Sequence, residues 1–167
     1  MRDKKVLFLT QAAVIAALYC VLTIFVNAFN LANGAIQVRI SEALCVLPFF
    51  TPAAVPGVII GCFLSNILTA CALPDIIFGT LATALAAVAT YKLKDHRFLC
   101  TLPPVISNML IIPLVLKYAY HLEGTVPFFM ITVGAGEVIS CVVLGSLLIS
   151  ALIPVSKYIF RPAEDVA

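Results

Sequence analysis

Apolar runs follow one another from Val6 to Ile153, and this constrains the chain more than any other feature. Six runs are legible, at residues 6–29, 36–50, 54–73, 75–91, 99–118 and 126–153. Most approach the roughly 20 residues that an α-helix needs to cross a bilayer. A soluble domain carries about 25% charged residues, whereas this chain has 11%, with 63% hydrophobic residues and a mean hydropathy of +1.15. Each run is read as a helix, because a backbone facing lipid must satisfy its own hydrogen bonds. The in–out alternation of a β-barrel is absent. The expected fold is one all-α integral membrane domain over residues 1–167, with six transmembrane helices and short loops in a lipid bilayer. The second run is short and ends at Pro48, the third is entered through Pro52 and Pro56, and the sixth is long enough to tilt or protrude.

The opening "MRDKKVLFLTQAAVIAALYC" has the look of a signal peptide. Its apolar run continues to Phe29, beyond the roughly 7–15 residues of a signal core, so it is read as a retained first span. Charge then gives orientation. Arg2, Lys4 and Lys5 precede the first run, Lys92, Lys94 and Arg97 lie between the fourth and fifth, and Lys157 and Arg161 follow the sixth. With six spans all of these fall on one side, leaving Arg39 and Lys117 for the other. Cytoplasmic loops carry the excess of Lys and Arg, so both termini are expected in the cytoplasm. An odd number of spans would spoil the asymmetry. The net charge of +2 is too small to suggest a nucleic-acid partner.

Six cysteines (Cys20, Cys45, Cys62, Cys71, Cys100 and Cys141) are scattered through apolar runs without a C-x-x-C pair. They are read as small hydrophobes. His96 and His121 fall in loops, so neither a metal site nor a cofactor is expected.

The polar residues inside the runs demand a reason. "QVRISEALCVLP" places Arg39 and Glu42 at the start of the second run. Glu42 lies roughly 5–9 Å into it at 1.5 Å per residue. Glu137, in "TVGAGEVIS", stands roughly 15 Å into the sixth run, beside Gly134 and Gly136, which leave room for a backbone or a ligand. Asn66 lies in the outer half of the third run and Asn108 near the middle of the fifth. An ionisable group at the centre of a span costs about 2.5–3.5 kcal/mol or more and usually faces a cavity or a partner. Four runs thus contribute polar groups to one candidate site in the outer half.

Plainer roles compete. Arg39 and Glu42 make an interfacial i,i+3 ion pair, Asn66 and Asn108 are interhelical glue, Asp75 after Pro74 is a helix N-cap, and Lys117 snorkels. Glu137 has no basic neighbour in sequence and is the first choice for a ligand-facing acid. In the first run, Ala12 and Ala16, and Ala13 and Ala17, are spaced four apart. Small residues at that spacing form a flat face for close helix contact, with a partner or within the protein. The chain has no G-x-x-x-x-G-K-[ST] motif, no nucleophile elbow and no H-E-x-x-H. It shows groups for binding within the membrane and no evident means of driving transport.

"QVRISEALCVLPFFTPAAVPGVIIGCFLSNIL", followed by "DIIFGTLATALAA", resembles the QueT family over about residues 6–153. Arg39–Leu44 and Asp75–Thr80 carry the most specific parts. The resemblance implies a substrate-binding (S) component of an energy-coupling factor (ECF) importer, multi-pass in the bacterial plasma membrane. It also implies a transmembrane coupling subunit and two ATPase subunits as partners, with Ala12, Ala13, Ala16 and Ala17 as the docking face. The implied substrate is a queuosine precursor, a 7-deazaguanine such as 7-aminomethyl-7-deazaguanine or queuine. A carboxylate accepts the two adjacent donors of a guanine-like edge in a bidentate pair, so Glu137 and Glu42 are the expected acids. Arg39, Asn66 and Asn108 are the expected donors to its carbonyl and ring nitrogen, and Asp75 is a further candidate. Alternatives are an S component for folate or thiamine, an intramembrane enzyme, and a purely structural membrane subunit.

Overall fold

The computed structural model describes residues 2–29 and 39–160, with side chains from Lys4 onward. Arg2, Arg161 and the first residues of the expected second span, 36–38, lie outside the described side chains. The elements are α1 (Arg2–Ala28), a 3₁₀ segment (Ile40–Phe49), α2 (Ala54–Leu68), α3 (Leu73–Lys92), α4 (Leu102–Tyr118), α5 (Val126–Glu137), a π-helical stretch (Val138–Leu144), α6 (Gly145–Leu152) and a short α7 (Ser156–Ile159). Single 3₁₀ turns lead into α4 and α7. Large apolar side chains such as Leu9, Val21, Leu68, Leu110, Ile131 and Leu147 are exposed all around the bundle. Such a surface is disfavoured in water and natural in lipid.

Among the described residues, four stretches are long and apolar enough to cross a membrane: Lys4–Ala28, Leu73–Lys92, Leu99–Tyr118 and Val126–Ile159. The second and third of the six expected spans are shorter. The third ends at Leu68 rather than 73, because the chain turns there. The Ala70 amide donates to the Ile67 carbonyl at 3.0 Å and the Cys71 amide to the Asn66 carbonyl at 3.0 Å. This is the Schellman pattern of a helix C-terminus. Ala70 takes the left-handed conformation that such an end requires, with φ 54°.

The second run is 3₁₀ rather than α. Pro48 has no N–H and disfavours α backbone at Leu47. Span length points the same way. Thr23 Oγ1 donates to Ser41 Oγ at 2.8 Å, and Thr51 Oγ1 donates to Gln11 Oε1 at 3.0 Å. Between Gln11 and Thr23, α1 climbs roughly 18 Å. Ten residues of α-helix reach about 15 Å, whereas ten of 3₁₀ reach about 20 Å. Every residue from Ser41 to Pro48 is buried. The segment packs against α1, α2, α3, the π-helical stretch and α6, so it is the pillar of the bundle.

Close approach around the pillar depends on glycine. A Cβ on Gly61 of α2 would lie 2.6 Å from Tyr19 Cβ, and one on Gly145 of α6 would lie 2.7 Å from Val46 Cγ1. The α1–α2 contact also decides the fate of the alanine face. Ala12 and Ala16 are buried, and their carbonyls lie beside Gly57 and Gly61. Ala13 and Ala17 face outward. The expectation of a four-alanine docking face is therefore corrected, since half of it packs inside the protein, where glycines on α2 match its small residues.

Contacts fix which chain ends share a face of the bundle. Gln11 Nε2 donates to the Ile159 carbonyl at 3.4 Å, Phe50 stacks on Phe160 with centroids 5.3 Å apart, and Arg97 donates to Ser150. Lys4, Lys5, Lys92, Lys94, Arg97 and Lys157 accordingly gather at one end. Arg39 and Lys117 occupy the other, with Lys117 in the last turn of α4, where a cation complements the unpaired carbonyls. Cys71 is the one partly exposed cysteine, the other five being buried. In a Cys71→Ser background, Lys94→Cys and Glu123→Cys should therefore react with a membrane-impermeant thiol reagent from opposite sides of the membrane. Labelling of both from one side would rule out this arrangement.

Candidate ligand-binding site

The 3₁₀ pillar carries Glu42, 1% exposed, into the bundle. Tyr19 Oη donates to Glu42 Oε1 at 2.7 Å, and Cys45 Sγ donates to Oε2 at 3.1 Å. Arg39 Nε stands 3.8 Å from Oε1. The same guanidinium donates through Nη2 to Asn66 Oδ1 at 3.3 Å. Asn66, 1% exposed, is held by the capped C-terminus of α2. Glu42, Arg39 and Asn66 thus form one chain of contacts across two segments. The i,i+3 pair expected of Arg39 and Glu42 is present, but it lies inside the protein with a third partner.

Glu137 closes α5 where the helix widens to π geometry, a distortion frequent at functional sites. Asn108 Nδ2 donates to Glu137 Oε1 at 2.9 Å. Cys141 Sγ lies 3.3 Å from Glu137 Oε2 and 3.4 Å from the Glu42 backbone carbonyl. Potential ligand atoms of Glu42, Glu137 and Cys141 fall within 4.8 Å of one another, all buried. The fold therefore brings together three ligating groups that sequence spacing does not reveal. Each already has a partner within the protein, and the Arg39 guanidinium beside Glu42 supplies positive charge.

A cavity of about 580 Å³ opens at the Arg39 end, within the size range of small-molecule sites. Its wall includes Thr23, Ser41, Arg39, Asn66, Asp75 and Tyr120, with Ile112 and Leu116 as an apolar side. Glu42, Asn108 and Glu137 are not on that wall among the described residues. Asn108 lies one turn of α4 deeper than Ile112, and it holds Glu137 at its own depth. Of the expected ligand contacts, Arg39, Asn66 and Asp75 face the cavity, while Glu42, Glu137 and Asn108 form the polar layer behind it. Asp75 is not an N-cap: that position is Ala72, which has no side-chain cap, and Asp75 lies in the first turn of α3. Tyr120 Oη donates to Asp75 Oδ2 at 3.0 Å and accepts from the Ala72 amide at 3.1 Å. Burial and the Asp75 carboxylate push the Tyr120 phenol well above its usual range, so it stays a donor.

Sequence reasoning missed Tyr19 and Tyr120. Tyr19 lies within an unbroken apolar run and Tyr120 in a short loop, and neither position has a periodic signal. The one available cue is that a buried tyrosine hydroxyl requires a partner.

An apolar helical bundle with a buried charged layer and a polar cavity at one end has the character of a membrane protein. Residues 9–154 match the QueT transporter family. The chain belongs to that family. It is also similar to "Queuosine precursor transporter QueT" of Lactococcus lactis subsp. cremoris (strain MG1363), at 36% identity over 83 residues, which is 50% of this chain and 48% of that protein. The match thus spans about half the length of the curated relative. No solved structure matches.

Glu42 is a buried carboxylate that relies on protein partners. Tyr19→Phe removes the shortest hydrogen bond to its carboxylate while keeping the ring, and leaves a buried acceptor short of a donor. The expected loss is about 1–3 kcal/mol, read as a lowered thermal midpoint in detergent. An unchanged midpoint would show that the carboxylate does not rely on Tyr19.

Proposed function

We propose that this chain is the S component of an ECF importer and binds a 7-deazaguanine precursor of queuosine. The observation that carries the reading is the cavity wall itself. It sets a guanidinium and an amide (Arg39, Asn66) near a carboxylate (Asp75), beside the apolar Ile112 and Leu116. A 7-deazaguanine is planar and carries a carbonyl, a ring nitrogen and adjacent N–H donors. Arg39 and Asn66 meet its acceptors, Ser41 and Thr23 offer hydroxyls to its edge, and the apolar side chains cover its face. The printed name of the relative and membership of the family support this substrate class.

In this reading the positive end of the bundle is cytoplasmic with both termini, all six segments traverse the protein, and the cavity faces outward. Glu42 and Glu137 hold the layer beneath the ligand, with Glu42 orienting Arg39. The chain itself lacks an ATP-binding motif, so two ATPase subunits and a coupling subunit supply the energy. Ala13 and Ala17, exposed on α1, are the part of the alanine face left for the coupling subunit.

One variant tests both halves of the reading, because the docking face and the cavity are separate. Ala17→Trp should abolish co-purification with the coupling subunit. The isolated variant should still bind 7-aminomethyl-7-deazaguanine in calorimetric titration, with the affinity of the wild type. Retained assembly rejects the docking face, and wild-type protein that ignores the base but binds folate or thiamine rejects the substrate.

A further inference from the structure

We propose that Asp75, braced by Tyr120, receives a protonated primary amine on the ligand, so that the site prefers a base with an ammonium arm over its neutral counterpart. The inference rests on the cavity being the ligand site and adds the residue that sets its charge selectivity.

The distribution of acids leads to Asp75. The chain has eight Asp and Glu residues, five of them among the described side chains. Glu42 and Glu137 are held by protein donors behind the cavity. Glu123 is exposed and off the wall, and Asp95 follows α3 at the opposite end. Residues 30–38, "NLANGAIQV", contain no acid and bring none to the site. Asp75 is the acid on the wall among the described residues. It has no ion-pair partner among them either. The Arg39 guanidinium on the same wall is near enough to interact electrostatically with Asp75, but its ion pair is with Glu42. A half-buried carboxylate with no direct ion pair of its own, beside apolar side chains, is open to a cationic ligand.

The geometry of the carboxylate narrows the cation. Asp75 Oδ2 is taken by Tyr120. Oδ1 points towards Gly79, where a Cβ would lie 3.4 Å from it and 3.3 Å from Asn66 Nδ2. Oδ1, which accepts no hydrogen bond from the described residues, is thus the oxygen most open to the ligand. A two-donor amidine-like edge uses both oxygens of a carboxylate, whereas an ammonium needs a single point contact. Asn66 Nδ2, beside the same glycine, meets an acceptor on the adjoining ring. The two side chains together read an amine arm next to a base carbonyl.

The test titrates the full-length protein with 7-aminomethyl-7-deazaguanine and its neutral 7-cyano counterpart. Wild type should prefer the amine. In Asp75→Asn that preference should shrink by about tenfold to a hundredfold. In Tyr120→Phe, which keeps the carboxylate but loosens it, the preference should shrink by a few-fold. An Asp75→Asn preference equal to that of wild type overturns the proposal. If Asp75→Asn binds neither base, Tyr120→Phe decides, and an unchanged preference there overturns it as well. Failure of the substrate reading looks different, because wild type itself would bind neither base.

Discussion

A carboxylate with 1% exposure in the interior of a membrane bundle is the constraint around which the rest is arranged. Removing Glu42 from water costs several kcal/mol unless its oxygens are satisfied. The partners that satisfy it come from different parts of the chain. Tyr19 brings α1 against the 3₁₀ pillar, and Cys45 fixes the carboxylate from the next turn of the pillar. Arg39 supplies the charge and carries the network to Asn66 on α2. Cys141 links the π-helical stretch to the backbone of the same residue. Gly61 lets Tyr19 approach, and Gly145 lets α6 close on Val46.

That network shows how a chain this apolar keeps a guanidinium at a cavity wall. A lone arginine at a cavity wall would be free to turn away or to draw in lipid headgroups. Held between Glu42 and Asn66, its planar guanidinium has a fixed direction. Rigid donors lose less entropy when a ligand binds, which favours affinity from few contacts. The second acid, Glu137, with Asn108, extends the polar layer downwards from Glu42. The 3₁₀ and π segments, both departures from α geometry, carry the two buried acids.

Much of this was legible in the sequence, for physical reasons that differ from residue to residue. Membrane helices announce themselves through length and hydropathy, so the boundaries of α1, α3 and α4 lie close to those expected. The gathering of Lys and Arg at one end follows from the same reading. Charged and amide side chains inside apolar runs are costly, so Arg39, Glu42, Asn66, Asn108 and Glu137 could be picked out one by one. Which of them faces a cavity and which faces another side chain depends on helix rotation, and runs that are apolar all round do not encode it. Sequence alone therefore does not separate Glu137, held by Asn108, from Asp75, on the cavity wall. The alanine face was ambiguous for the same cause, since Ala12 and Ala13 look alike in sequence and point in different directions. The 3₁₀ pillar was hidden because its hallmark is a span of roughly 18–20 Å covered by ten residues, which only the packed structure reveals.

The central claim is that the outer-end cavity is a binding site for a small deazaguanine held by the network above Glu42. Native mass spectrometry of the full-length protein, purified from cells grown with a 7-deazaguanine, measures this most directly. The account predicts one such base bound per chain. A chain that flies without any base, or that carries a different vitamin instead, would contradict it.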